Sequence, residues 1–220
     1  MEELEELLKQ YNIAHLADIE LAPWSEQYCE TPFPKYWQIT YQIMSNISPN
    51  KRVIEIGCGQ GDVTTIFCHL GFTKVTSYEK DPLLVINAKR RLKDLFGRED
   101  VISQGEYPVR CHTECDVLVL VNCVYDELVN TKVGYKNLLK DYYKHAGCPQ
   151  YFIIEVIDSS YIIEDKVFPE HLRLSRKDVV EMFPNCLIQS WQTYIYPQNK
   201  KSKTLYLIVK KCIYLLLQQK

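Results

Sequence analysis

The chain has 220 residues, enough to bury the core of one domain, and its 46% hydrophobic and 25% charged residues are typical of a globular protein and not of a disordered one. Its formal net charge of −2 provides no overall field that would attract a polyanion, which disfavours nucleic acid as a partner. The nine cysteines include no C-x-x-C pair, so the sequence argues against a disulfide framework and a zinc site, and it fits a reducing cytoplasm.

The two ends of the sequence carry no recognisable targeting pattern. The start, MEELEELLKQ, is acidic where a secretory signal is basic and then apolar. The end, CIYLLLQQK, has too few apolar residues to span a bilayer. We therefore expect no export signal, no membrane partner and a cytoplasmic location, and the sequence leaves a homo-oligomer open.

The first fifty residues combine one helical pattern with an aromatic segment. Leu4, Leu7, Leu8 and Tyr11 follow helical spacing and predict an amphipathic helix over 2–16. Prolines then interrupt a stretch rich in aromatic side chains. These either pack the N-terminal segment onto the rest of the protein or form a lid that supplies a substrate pocket. In the second interpretation, the substrate-binding residues are Trp24, Tyr28, Tyr36 and Trp37.

From residue 51 onward, short apolar runs alternate with helical patterns. The predicted strands are 51–56, 74–78, 101–103, 116–124, 151–157, 186–196 and 203–210. The predicted helices are 62–70, 82–96, 131–145 and 175–183, the last with Ser175 and Asp178 as an N-terminal capping pair. This alternation predicts a mostly parallel α/β sheet with helices on both faces, closed by one antiparallel hairpin.

Three glycines, Gly57, Gly59 and Gly61, follow the first of these strands. Glycine adopts a positive φ without steric cost and lets the backbone approach a ligand closely at the start of a helix. A dinucleotide fingerprint would need glycine at position 62, which is Asp62, a reasonable N-cap for the next helix. A pyrophosphate would also be repelled by Asp62 and Glu55. The loop therefore favours a cationic ligand without phosphate, and a nicotinamide oxidoreductase ranks last.

A further acid, Glu79, ends the second predicted strand. It lies about 20 positions after Gly57, where nucleotide-binding α/β folds hold the ribose hydroxyls with a carboxylate. This spacing predicts a nucleoside ligand.

The pattern E-x-G-x-G-x-G at 55–61, together with Glu79, resembles the S-adenosylmethionine (SAM)-dependent methyltransferases of the Rossmann-like superfamily, class I. The resemblance runs over roughly residues 50–210. It implies an α/β three-layer sandwich with a mostly parallel seven-stranded sheet, a C-terminal antiparallel hairpin and an N-terminal helical extension. The corresponding division is an extension at 1–49, a SAM-binding domain at 50–212 and a tail at 213–220.

The resemblance also implies roles for individual residues toward SAM as the cofactor. The glycines would lie under the methionine part, with Glu55 near its amino group, and Glu79 would hold the ribose. Glu106 would reach the adenine amino group with Gly105 beside the ring, and Asn122 would face the methionine end and the substrate. The implied cofactor-binding residues are Glu55, Gly57, Gly59, Gly61, Glu79, Gly105, Glu106 and Asn122.

The implied activity is methyl transfer, by in-line displacement, to an oxygen or nitrogen nucleophile of a small molecule. Tyr125, Asp126 and Asp158 are candidates for the catalytic proton acceptor by position alone. Members of the superfamily that modify adenine often carry an N-P-P-Y motif, and Asn122-Cys123-Val124-Tyr125 lacks both prolines, which disfavours that substrate.

Two alternatives stay open, namely an RNA or protein methyltransferase and a non-catalytic SAM-binding module. Basic side chains cluster at 89–93, 200–203 and 210–211. We interpret the first cluster, which has acids close by, as a solvated helix face. The basic residues at 200–203 are only weak evidence for RNA binding.

Overall fold

The computed structural model describes residues 1–15, 26–108, 114–123, 129–161, 168–196 and 199–211. Within these ranges the helices are α1 (Glu2–Ala14), α2 (Lys35–Met44), α3 (Thr64–His69), α4 (Pro82–Phe96), α5 (Lys132–His145) and α6 (Arg176–Met182). The strands are β1 (Val53–Ile56), β2 (Val75–Glu79), β3 (Ile102–Gln104), β4 (Val117–Leu120), β5 (Tyr151–Asp158), β6 (Arg173–Leu174), β7 (Cys186–Tyr196) and β8 (Asn199–Lys210). No helix in the described ranges is both long and apolar enough to cross a bilayer.

All the strands belong to one eight-stranded sheet with the order β3-β2-β1-β4-β5-β8-β7, and the short β6 pairs beside β5. Strands β1 to β6 pair in parallel, whereas β8 runs antiparallel to both β5 and β7. The seven predicted strands and the antiparallel hairpin are confirmed, and the sheet contains one further strand, β6. The sequence did not indicate β6, because a two-residue strand is too short to show a period.

Helices cover both faces of the sheet, as the apolar run in β4 predicts. Val117 and Val119 contact one buried cluster, and Leu118 and Leu120 contact the other, because successive side chains of a strand point to opposite faces. Helices α1 to α4 contribute to the first cluster and α5 and α6 to the second. The architecture is therefore a three-layer α/β sandwich, as predicted.

The N-terminal segment contains a helix, α2, that the sequence analysis missed. Its prolines indicated an interruption, yet Pro34 occupies the N-cap of α2, where the helix requires no N–H from it. Trp37 and Met44 on α2, with Leu4 and Leu8 on α1, are fully buried against the sheet. Part of the aromatic segment is thus packing, while the division of the chain at 49 and 212 stays a prediction.

The ends of α4 are fixed by local side-chain and backbone signals. Asp81 accepts hydrogen bonds from the backbone N–H groups of Leu83 and Leu84, and Gly97 ends the helix with a φ of +67°. The predicted capping pair Ser175 and Asp178 forms a complete capping box on α6. These caps fix where α4 and α6 begin and where α4 ends.

Candidate functional site

A cavity of about 520 Å³ opens at the carboxyl ends of β1 to β4. The order of the sheet reverses between β1 and β4, and ligands of open α/β sheets bind outside the carboxyl ends of strands at such a point. The volume is in the range of sites for small ligands. Of the predicted site residues, those that line the cavity are Tyr28, Tyr36, Glu55, Gly57, Gly59, Glu79, Gly105, Glu106 and Asn122.

Three other predicted residues do not line the cavity. Gly61 faces α4, where an added Cβ would contact a side chain at 3.5 Å. Trp37 is buried, and its indole N–H donates to the backbone oxygen of Asp62 over 2.9 Å. Asp158 accepts a hydrogen bond from a threonine hydroxyl on β8 over 2.8 Å. The structure thus gives Gly61, Trp37 and Asp158 packing and hydrogen-bonding contacts away from the cavity. The predicted residues that lie outside the described ranges are Trp24, Tyr125 and Asp126.

The glycine loop lies directly against the end of β4. Gly57 has a φ of +68°, and its N–H and that of Cys58 donate to the backbone oxygen of Tyr78 over 2.8 and 3.0 Å. A Cβ on Gly57 would lie 1.9 Å from the sulfur of Cys123. Both the backbone angle and the contact therefore require glycine, and the loop is held against β2 and β4 at once.

The carboxylate of Glu79 ties the glycine loop to the end of β2. Its Oε2 accepts from the Gly59 N–H over 2.8 Å, and its Oε1 accepts from the N–H groups of Lys80 and Asp81 over 2.8 and 3.0 Å. A carboxylate has about four acceptor positions, so most of them are already used by backbone donors. A diol that binds Glu79 through both hydroxyls must displace at least one of these N–H groups.

Glu55 is buried in the strand below the loop and is 2% exposed. Its Oε2 accepts from the hydroxyls of Thr64 and Ser77 over 2.5 and 2.7 Å. Burial raises the pKa of Glu55 from 4.5 to about 7, although the two hydroxyls oppose the change. The carboxyl group therefore ionises near neutral pH, at a position where a bound cation would favour its charged form.

We expect the pKa of Glu55 to make stability depend on pH. Because the pKa is higher in the folded state, the stabilisation from Glu55 is complete below about pH 4.5 and is lost as the pH rises through 7. Glu55→Gln removes this loss, so its free energy of unfolding relative to wild type should rise by on the order of 3 kcal/mol between pH 4.5 and pH 8. Urea unfolding at the two pH values measures it. The exposed Glu99→Gln is the control, and an offset independent of pH contradicts the expectation.

A buried arginine that the sequence analysis missed connects the glycine loop to α1. Arg91 on α4 is 1% exposed. Its Nη1 donates to the Asp62 carboxylate and to the backbone oxygen of Gln60, and its Nη2 donates to Oδ1 of Asn12 over 2.9 Å. Asn12 in turn donates to the backbone oxygen of Tyr28 over 3.2 Å. The loop, α1 and the cavity wall at Tyr28 thus share one hydrogen-bond network.

This network corrects two expectations. The cluster at 89–93 is not wholly a solvated face, because Arg91 lies on the same side of α4 as the buried Ala88 and Leu92. Asp62 does not cap the next helix, since α3 begins at Thr64 and the carboxylate of Asp62 binds Arg91. The helical period of the buried positions on α4 is the signal that would have identified Arg91.

A second buried ion pair lies at the other end of the cavity. Lys203 on β8 is 2% exposed, and its Nζ donates to Oδ1 of Asn122 over 2.9 Å and to Glu155 over 3.3 Å. The hydroxyl of Thr193 donates to the second oxygen of Glu155 over 2.6 Å. Lys203 therefore does not belong to a solvated basic surface at 200–203. Glu155 is an acid within the apolar run of β5, and such an isolated acid is the sequence signal that indicates a buried cationic partner.

Aromatic side chains form much of the remaining cavity wall. The hydroxyls of Tyr28 and Tyr36 lie 2.8 Å apart, and burial raises the pKa of Tyr28 well above its ordinary value. Tyr107, Tyr142 and Phe168 line the far side. These rings make much of the cavity wall apolar, which lowers the dielectric around the buried acids Glu55 and Glu79.

Neither a protein-family model nor the sequence of a curated protein matches the chain. Solved structures do match its fold. The methyltransferase domain of bacterial CtHen1 is 16% identical, over 81% of this chain and 98% of that one, with a TM-score of 0.54. Magnesium protoporphyrin IX methyltransferase (ChlM) from Synechocystis PCC 6803, solved with bound SAM, is 10% identical, over 94% and 97%, with a TM-score of 0.59. A SAM-dependent methyltransferase from Clostridium acetobutylicum ATCC 824 is 10% identical, over 94% and 98%, with a TM-score of 0.55. The chain therefore has the Rossmann-like fold of the SAM-dependent methyltransferases, as its glycine loop and strand-end acid predict.

Proposed function

We propose that this chain is a SAM-dependent methyltransferase that methylates a small molecule bound in the cavity. The observation that carries the proposal is the hydrogen bond between the Gly59 N–H and Glu79 Oε2, which joins the two parts of the predicted nucleoside site over 2.8 Å. Both residues line the same cavity as Glu55 and Asn122.

The residues present fit the cofactor in charge and in shape. Glu55, Glu79 and Glu106 bring three carboxyl groups to the cavity, which suits a ligand with ammonium and sulfonium groups and opposes a pyrophosphate. Gly57 and Gly59 line the cavity without side chains, so a ligand can lie directly against the backbone of the loop. In this assignment Glu79 holds the ribose, Glu106 and Gly105 face the adenine, and Glu55 accepts from the amino group.

SAM supplies an activated methyl group with a good leaving group, so the protein mainly aligns the acceptor and keeps water away. Such alignment contributes up to about 7–11 kcal/mol in favourable intramolecular cases. Tyr28 and Tyr36 line the cavity on the N-terminal side, and Asn122 follows β4 at the end that we assign to the acceptor. Tyr125 and Asp126 remain the predicted proton acceptors.

A small acceptor is supported by the nature of the cavity walls and by the overall charge. The aromatic walls suit a small acceptor that the cavity can surround. The formal net charge of −2 provides no overall attraction to RNA. Buried Arg91 and Lys203 are engaged with Asp62 and Glu155, so neither contributes to a basic surface.

A label-transfer experiment tests the proposal. The protein is incubated with methyl-labelled SAM and cell extract divided into a small-molecule fraction, an RNA fraction and a protein fraction. We expect label to appear in the small-molecule fraction and to depend on Glu79. Label in RNA or protein would support a macromolecular acceptor instead. Calorimetric binding of S-adenosylhomocysteine (SAH) without transfer to any fraction would indicate a non-catalytic module.

A further inference from the structure

Lys203 determines which way the side-chain amide of Asn122 points. An ammonium group only donates hydrogen bonds, so the amide atom 2.9 Å from Nζ must be the oxygen. The amide Nδ2 then lies on the opposite side, and it has no hydrogen-bond partner among the described residues. Asn122 is partly exposed and lines the cavity, so its two N–H donors are available to a ligand while its oxygen is turned to Lys203.

The surroundings keep this orientation fixed. Lys203 is held by Glu155, whose second oxygen is held by Thr193. The backbone of Asn122 has a φ of +53°, a conformation that asparagine adopts more readily than most residues. The Lys203 ammonium also lies 6.0 Å from the ring centroid of Phe168, which lines the same end of the cavity. Rotation of the amide would therefore replace one acceptor of the buried ammonium by an N–H group that points at it.

We propose that Lys203 is a positioning residue that turns the Asn122 amide donors toward the acceptor end of the cavity, so that this end binds a carboxylate oxygen and disfavours a primary amine. The proposal rests on the proposed methyltransferase function and narrows its acceptor to an oxygen nucleophile. An amine that donates to Asn122 would have to share the amide oxygen with the Lys203 ammonium, whose charge disfavours a second cation beside it. The opposite amide orientation would suit an amine, and the buried cation excludes it.

The test follows the side-chain amide signal of Asn122 by ¹⁵N NMR in the SAH-saturated protein, with benzoate and benzylamine as matched probes. Asn122→Asp assigns the signal by its loss. The Asn122→Asp variant also keeps a side-chain oxygen that can accept from Lys203, while it removes the two amide N–H donors. Aspartate tolerates the positive φ of this position, as asparagine does. We expect benzoate to shift the wild-type signal in a saturable way and benzylamine to leave it unchanged. One-dimensional ligand spectra should show benzoate binding reduced at least roughly tenfold in Asn122→Asp.

Two variants separate positioning from folding. Lys203→Arg keeps a donor to the Asn122 oxygen and should retain the preference for benzoate. Lys203→Met combined with Glu155→Gln removes both charges together, so that no buried carboxylate loses its counter-ion. This pair should weaken benzoate binding roughly tenfold while SAH affinity changes little.

Several results would overturn the proposal. They are a shift by benzylamine and not by benzoate, no shift by either probe, or unchanged benzoate binding in the double variant. If SAH itself moves the signal and benzoate no longer does, the cofactor's own carboxylate occupies Nδ2, and the acceptor assignment is wrong. A protein that binds benzoate as expected but fails to bind SAH would refute the proposed function and leave a carboxylate site.

Discussion

Replacing Arg91 by methionine should lower the free energy of unfolding by about 3–5 kcal/mol. The guanidinium is buried and donates to Asp62, Gln60 and Asn12, so the variant removes one donor from a buried carboxylate and from two other buried oxygens. Removal of one partner of a buried ion pair costs more than removal of both. Arg91→Met combined with Asp62→Asn should therefore recover part of the loss. Urea unfolding followed by circular dichroism measures each variant.

The neighbouring Arg90 provides a matched control. Its side chain is 46% exposed and lies 4.0 Å from Asp94 at the surface, where an ion pair contributes about 1 kcal/mol at most. Arg90→Met should therefore unfold close to wild type. Equal destabilisation by the two substitutions would show that the Arg91 network does not support the fold.

Replacing Glu79 by alanine should weaken SAH binding at least about 100-fold. Two hydrogen bonds from ribose hydroxyls to a carboxylate are together worth roughly 3 kcal/mol or more, and the Gly59 N–H also loses its acceptor. Isothermal titration calorimetry measures the change. The exposed Glu99→Ala should bind like wild type, and equal affinity of wild type and Glu79→Ala would remove the central assignment.

A ligand analogue distinguishes lost ribose contacts from a disturbed glycine loop. Wild type should bind SAH more tightly than its 2′-deoxy analogue, because Glu79 accepts from the 2′-hydroxyl. Glu79→Ala should bind the two ligands equally, whatever happens to the loop. A variant that still prefers SAH over the analogue would place the ribose elsewhere.

The sequence predicts the fold well where a pattern of apolar residues extends over a whole helix or strand. The apolar run in β4 predicts a strand covered on both faces, and its side chains do alternate between the two core clusters. Glu79 was predicted to end the second strand, and it does. The signals for Glu79 and for Gly57 are local, since a strand end and a tight turn depend on neighbouring residues.

The buried ion pairs could not be predicted in the same way, because they join residues that are distant in the chain. Lys203 and Asn122 are 81 positions apart, and their contact depends on β8 inserting beside β5. Helix α2 was missed for a related reason. Pro34 is compatible with both an interruption and a helix start, and the helix that follows it buries Trp37 against the sheet.

The Arg91 network also has a consequence for how the chain folds. Its partner Asn12 lies 79 positions earlier, so the closing contact spans more than a third of the chain and is entropically expensive to form early. During synthesis α1 leaves the ribosome several seconds before α4 exists, at translation rates of roughly 5–20 residues per second. During that interval, α4 is not yet present for α1 to contact. The docking of α1 onto α4 therefore both buries Leu4 and Leu8 and completes the network that supports the glycine loop.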